Sequence, residues 1–173
     1  MATGWFPKDL SDWEVNDGEA YHRALYHNGD LEKPVSWHKN SVETLLDLAM
    51  PHINDGSVVV DYGTGTGGSA IELLRKLDAR GVSIDLVLID PLKSWFGKAR
   101  EILGEREDVH FELSIVEGAD GGVYFRSLQE MLGERKADVI ISSSTLHLVP
   151  VKAIDDLVKQ FAGSLKPNGA VIW

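Results

Sequence analysis

At 173 residues, 43% of them apolar, the chain has the length and composition of one domain around one sizeable core. It holds no cysteine, which excludes disulfides and thiolate metal sites and is the usage expected in a reducing cytoplasm. Against 17 Lys and Arg stand 27 Asp and Glu, a formal net charge of −10, so no nucleic-acid partner is expected, because phosphate contacts dominate such binding.

The N-terminal residues Met1 to Asp9 show no basic stretch followed by an apolar one, so no signal peptide is predicted. No apolar run reaches the roughly 18 residues of a membrane span. Residues 1 to about 40 are rich in aromatics and histidines: Trp5, Trp13, Trp37, Tyr21, Tyr26, His22, His27 and His38. A short helix is predicted over 17–26 and a turn at Asn28-Gly29-Asp30. The histidine spacings put no pair on one helical face, so no metal site is assigned. From Asn40 a helix runs to about Pro51, with Asn40 as its cap and Glu43 three residues on. Its apolar stripe is Val42, Leu45, Leu46 and Ala49.

The stretch from Val58 to Gly68 organises the rest. Val58-Val59-Val60 reads as a buried strand, closed by the carboxylate of Asp61 and then Tyr62. Gly63, Gly65 and Gly67 follow at alternate positions, with Thr64 between, where the backbone takes conformations closed to other residues. Ser69 to Leu77 then reads as a helix with apolar residues at 70, 73, 74 and 77. Strand, glycine loop and helix form a nucleotide-type turn whose free amides suit a carboxylate or phosphate. Gly63, Gly65 and Gly68 satisfy the dinucleotide fingerprint G-x-G-x-x-G. Asp61, Gly63, Gly65 and Gly67 satisfy an acidic-x-G-x-G-x-G pattern as well.

A second strand over 82–90 ends in another carboxylate, Asp90, 22 residues past Gly68, followed by Pro91 and Leu92. An acid there hydrogen-bonds ribose hydroxyls of adenosine-type ligands. Trp95, Phe96, Ala99, Ile102 and Leu103 stripe the next helix as core residues. Val109 to Leu113 is a third strand, Val116 to Gly122 a glycine-rich turn, and Tyr124 to Glu134 a helix. The fourth strand starts at Ala137 and leaves through Ser142-Ser143-Ser144-Thr145-Leu146-His147. A helix from Val151 to Leu165 carries the stripe Ile154, Leu157, Val158 and Phe161. Lys166-Pro167-Asn168-Gly169 is a tight turn, with Asn168 suited to left-handed geometry, and Ala170 to Trp173 begins a fifth strand.

The acidic-x-G-x-G-x-G pattern resembles motif I of the class I, seven-stranded S-adenosylmethionine-dependent methyltransferases. The run from Asp138 to His147 resembles that family's fourth-strand element in members acting on small molecules, and 166–169 resembles its Lys-Pro-Gly-Gly turn. The resemblance covers about 55–173. It implies an α/β, Rossmann-like, doubly wound and mostly parallel sheet with helices on both faces, here ending in strand five. Residues 41–173 would be the cofactor domain, lacking the family's C-terminal strands; a fragment of a longer protein is expected, the alternative being a compact form closed by a partner. Residues 1–40 would be a cap or lid over the pocket.

The implied cofactor is S-adenosylmethionine, leaving as S-adenosylhomocysteine. Its implied ligands are Asp61, Tyr62, Gly63, Thr64, Gly65 and Gly67 at the methionyl end, and Asp90, Pro91 and Leu92 at the ribose and adenine. Ala119 and Asp120 stand where the family binds the adenine amino group, in a looser match. Ser142 and Ser143 stand at the end of strand four. Asp61 attracts an ammonium and would repel a pyrophosphate, which disfavours the nicotinamide reading. His147 is the candidate general base, since imidazole titrates near neutrality; Tyr21, Tyr26 and His38 are weaker candidates. The Asn/Asp-Pro-Pro-aromatic sequence of the family's DNA- and glutamine-methylating members is absent, so the expected acceptor is a small molecule. The alternatives are a non-catalytic cofactor-binding domain and, less favoured, an NAD(P)-dependent oxidoreductase. An apolar fifth strand at an open edge predicts a homodimer through it.

Overall fold

Runs of β-branched and aliphatic residues, each cut off by a carboxylate, a serine or a glycine, build a central sheet. The computed structural model describes residues 18–30, 33–117, 119, 123–146, 149 and 151–173. Its strands are β1 (Ser57–Tyr62), β2 (Ile84–Asp90), β3 (Val109–Leu113), β4 (Ile115–Glu117), β5 (Val123–Phe125), β6 (Ala137–Ile141) and β7 (Leu165–Ile172). Its helices are α1 (Gly18–Leu25), α2 (Ser36–Ala49), α3 (Gly68–Asp78), α4 (Lys93–Leu103), α5 (Leu128–Leu132) and α6 (Val151–Ser164). Five strands pair in the order β3-β2-β1-β6-β7, every pair parallel.

Side chains alternate across this sheet, and each face has its own core. Val59, Leu86, Leu88, Val139 and Ile141 meet Leu45, Leu46 and Ala49 of α2 and Leu73, Leu74 and Leu77 of α3. Val60, Val87, Ile89 and Ile140 meet Leu128 and Met131 of α5 and Leu157 and Phe161 of α6. Burial on both sides is why the strands read as continuous apolar runs. The doubly wound parallel architecture implied by the sequence is the one observed. From β1 the chain adds strands on one side (β2, β3) and then on the other (β6, β7), so the order reverses at the β1–β6 boundary. In open parallel sheets, ligands bind in the crevice over such a boundary, beyond the carboxyl ends of the strands.

Four elements differ from their predicted form. Helix α2 starts at Ser36, one turn before Asn40, immediately after Pro34 and the extended Val35. His38 is buried with Val42, Leu45, Leu46 and Ala49, so the inward face includes a histidine that apolar periodicity does not count. In place of a helix from Tyr124, Val123–Phe125 pairs antiparallel with Ile115–Glu117. The helix that follows is confined to Leu128–Leu132, started by a capping box in which Ser127 Oγ accepts from the Glu130 amide and Glu130 accepts from the Ser127 amide. On α6, Leu157 and Phe161 are buried, but Ile154 and Val158 of the expected stripe are exposed and Ala153 points inward instead. The expected turn at 166–169 is an irregularity inside β7: Leu165 pairs with Ala137, and the next pair is Ala170 with Val139. Asn168 there has φ +68°, the left-handed value its sequence position predicted.

Candidate functional site

The carboxyl ends of β1, β2 and β6 converge on the glycine loop. Gly63, Gly65 and Gly67 have φ values of +78°, +58° and +87°, so all three alternate glycines use the left-handed region. This folds the chain from β1 straight into α3, with Gly67 as the helix cap.

Asp61 is the penultimate residue of β1 and is fully buried. Its Oδ2 accepts from Thr64 Oγ1 at 2.9 Å and Ser69 Oγ at 2.7 Å. Its Oδ1 is also buried and accepts no hydrogen bond among the described residues. Burial raises the Asp61 carboxyl to about 6, against the two hydroxyls that hold it down. Asp90 ends β2, 4% exposed, with Oδ2 accepting from the Gly65 amide and Oδ1 from the Leu92 amide, both at 2.9 Å. Burial raises it too to about 6, the two amides oppose the rise, and the Asp61 charge adds to it. Two buried acids thus flank one loop, a costly arrangement that structural needs alone rarely call for.

Four of the loop amides expected to be free are engaged. Gly63 and Thr64 donate to the Ile89 carbonyl at 2.7 and 3.0 Å, Gly65 to Asp90, and Gly67 to the Thr64 carbonyl at 2.9 Å. A buried N–H needs a partner, and β2 supplies it. Among the buried side-chain oxygens of the described residues, the one left without a partner at this turn is Asp61 Oδ1, and a carboxylate oxygen wants a donor or a cation.

The exit of β6 closes the other side. Ser142 Oγ donates to the Tyr62 carbonyl at 2.9 Å, and Thr145 Oγ1 lies 3.1 Å from the Gly63 carbonyl and 3.0 Å from that of Ser143. A Cβ on Gly63 would lie 2.2 Å from Thr145 Oγ1 and Cγ2, so this glycine is required by Thr145. Ser144, between them, has φ +54°. Thr145 escaped the sequence reading; the four hydroxyl residues in a row from Ser142 were its only signal. Tyr62 packs edge-on against Phe161, ring centroids 5.1 Å apart, and its hydroxyl is raised to about 12, first by burial and then by Asp90.

Of the other expected site residues, Leu92 is buried at the start of α4, Pro91 and Ser143 are half-buried, and Ala119 is exposed after β4. Asp120 and His147 lie outside the described residues, as do Trp5 and Trp13 and the side chain of Tyr21. His22, Tyr26 and His38 come together behind the loop: Tyr26 Oη lies 3.1 Å from His38 Nε2, and His22 Nδ1 lies 3.3 Å from Thr66 Oγ1. Trp37 is exposed, with its ring 5.7 Å from that of His38, and His27 is exposed too. Among the described residues, no helix is long and apolar enough to cross a membrane.

Residues 36–173 match a family model described as a methyltransferase domain. Two curated relatives are carboxy-S-adenosyl-L-methionine synthases. The one from Sulfurimonas denitrificans is 29% identical over 143 residues, covering 83% of this chain and 54% of the relative. The one from Desulfotalea psychrophila is 25% identical over 145 residues, covering 82% and 53%. The chain therefore spans about half the length of the curated relatives it matches. Among solved structures, an S-adenosylmethionine-dependent methyltransferase from Geobacter sulfurreducens, in complex with S-adenosyl-L-homocysteine, superposes with a TM-score of 0.55 at 20% identity. That match covers 98% of this chain and 55% of the other, and it is a likeness of fold.

Proposed function

The chain belongs to the methyltransferase-domain family, and from that premise we propose that it binds S-adenosylmethionine over the β1–β6 boundary and passes its methyl group to a small-molecule acceptor. The observation that carries this reading is Asp61 Oδ1, a buried carboxylate oxygen with no partner among the described residues. An ammonium supplies the charge and the donor this oxygen lacks; a pyrophosphate supplies neither. The sulfonium cofactor, when bound, supplies an already activated methyl group for in-line displacement.

The protein's share is then position and exclusion of water. Asp61 faces the ammonium, while Tyr62, Gly63, Thr64, Gly65 and Gly67 give the methionyl end a close-fitting wall. Asp90 takes the ribose hydroxyls, and Pro91 and Leu92 stand beside it. Ala119 and Asp120 belong to the adenine end, and Ser142 and Ser143, at the carboxyl end of β6, complete the cofactor site. His147 is the base where the acceptor carries a proton at neutral pH. Residues 1–40 act as the cap over the pocket and 41–173 as the cofactor domain. The other parts of the reading are a cytoplasmic location, no nucleic-acid partner and a homodimer through the β7 edge.

Calorimetric titration with S-adenosylhomocysteine and, in parallel, NADH tests the cofactor class. Micromolar binding of the first alone is expected; binding of NADH alone overturns the reading of Asp61. Turnover against a panel of acceptors then separates an enzyme from a non-catalytic binding domain. The names of the two curated relatives favour a second reading, in which S-adenosylmethionine itself is converted to its carboxy form. Mass spectrometry of the cofactor after incubation with carboxylic-acid metabolites checks it.

A further inference from the structure

Gly68 opens α3, and its missing side chain has a definite replacement. A Cβ there would lie 2.7 Å from Tyr26 Oη and 2.9 Å from His38 Nε2. The dinucleotide fingerprint counts this glycine as one that admits a ligand; here it admits a hydroxyl and an imidazole of the same chain. Tyr26 Oη and His38 Nε2 share a hydrogen bond of 3.1 Å. His22 stacks on Tyr26, ring centroids 4.6 Å apart at 28°, and its Nδ1 lies 3.3 Å from Thr66 Oγ1. His22 and Thr66 are 0% and 1% exposed, Tyr26 is 1% and His38 is 9%.

Apolar packing alone does not call for two histidines and a tyrosine there. Buried polar groups carry a desolvation cost that only specific partners offset; one such partner is the corner residue Thr66, and Gly68 leaves the room that Tyr26 Oη and His38 Nε2 occupy. Tyr26 is itself held from outside the corner. Its backbone bridges to Pro34, and Val35 N–H donates to the Leu25 carbonyl at 2.8 Å, pinning the connector between α1 and α2. We propose that His22, Tyr26 and His38 are positioning residues: through Thr66 and Gly68 they hold the end of the glycine loop in its cofactor-binding form. Helix α1, its connector and the first turn of α2 thus set the affinity of a site they need not touch. This rests on the S-adenosylmethionine reading above.

Charged neighbours do not provide a simpler account. The groove of about 220 Å³ beside Tyr26 and His38 is lined by Lys39 and Glu43 of α2 and Glu72, Arg75 and Lys76 of α3. These pair among themselves or with Asp47: Lys39 with Glu43 at 3.8 Å, Arg75 with Glu72 at 3.1 Å and Lys76 with Asp47 at 3.2 Å. Burial, and next the neighbouring His22, lower the His38 pKa, so the imidazole is neutral at pH 7 and can share its proton with Tyr26 in either direction.

The test measures S-adenosylhomocysteine affinity by calorimetry in the whole chain and in Tyr26→Phe, His38→Leu, His38→Gln and the distant Leu48→Ala. Losing the Tyr26–His38 bond is expected to weaken binding roughly three- to tenfold in the first two, the range of one hydrogen bond. Gln keeps a hydrogen-bonding group and is expected to stay within about twofold; Leu48→Ala is expected to bind like the wild type. Folded Phe and Leu variants with wild-type affinity overturn the proposal. So does a Gln variant as weak as Leu, which marks a packing role only. Where the variants fail to fold, the histidine ring signals of the unaltered chain decide by NMR: those of His22 and His38 are expected to shift on ligand addition, and unmoved signals overturn the proposal. If the unaltered chain binds no S-adenosylhomocysteine, it is the cofactor reading that has failed.

Discussion

Asp61 holds a carboxylate where water does not reach it. Burial lifts its pKa from 3.8 to about 6, so between those values the unfolded chain releases a proton that the folded chain keeps. Its contribution to stability is therefore greatest below pH 3.8 and is lost as the pH rises to about 6. That loss amounts to about 3 kcal/mol, since each pKa unit is worth about 1.4 kcal/mol. Asp61→Asn removes the ionisation while retaining an amide oxygen for the Thr64 and Ser69 hydroxyls. It should raise the urea midpoint at pH 7.5, leave it nearly unchanged at pH 4, and weaken S-adenosylhomocysteine binding by more than tenfold. Equal affinity in the variant would detach Asp61 from the ligand. Asp90 is a different case, because both its oxygens already hold backbone amides. Asp90→Ala should leave the far-ultraviolet circular dichroism of the fold in place and cut cofactor affinity by more than tenfold; unchanged affinity removes the ribose role.

At the scale of elements, α6 shows how a periodic pattern is split by what lies around it. A stripe of four apolar residues was legible, but only Leu157 and Phe161 of it face Val60 and Ile140. Ile154 and Val158 are 36% and 44% exposed, and Val151 is 86%. Periodicity gives the helix a moment but not its rotation against the sheet; the small Ala153 on the inner side allows it to turn. Leu157→Ala should cost 2–5 kcal/mol in chemical denaturation, the usual range for a buried leucine, whereas Val158→Ala should stay within about 0.5 kcal/mol. Similar costs for the two would place Val158 in the core. The hairpin β4–β5 teaches the same lesson from the other side: Val123-Tyr124-Phe125 has high strand propensity, and only the presence of Ile115–Glu117 alongside turns that propensity into a pair.

For the whole molecule, the sheet order leaves β3 and β7 at its two edges. The β7 edge is followed by Trp173, 64% exposed, on a chain of net charge −10. An open strand edge favours pairing with a second copy, while like charges oppose it. Salt shortens the reach of that repulsion. Light scattering over a concentration series should therefore show association that strengthens from low to moderate ionic strength. A monomer at every concentration and salt level would remove the homodimer from the functional proposal.

By itself the sequence determined the five strands of the parallel sheet, the left-handed glycines at 63, 65 and 67, the acids at the carboxyl ends of β1 and β2, and the parallel doubly wound class. These are local matters: β-branched runs, residues that alone tolerate positive φ, and the alternation of strand and helix. Only the tertiary structure decided which partner each polar group takes. It turned the amides of Gly63, Thr64 and Gly65 toward Ile89 and Asp90, left Asp61 Oδ1 without a hydrogen bond among the described residues, and gave Gly63 to Thr145 and Gly68 to Tyr26 and His38. Those partners lie from 25 to 82 residues apart in the chain, as Gly65 and Asp90 or Gly63 and Thr145 do. A hydrogen bond is made at about 3 Å, and no pattern along one segment encodes a distance across the fold.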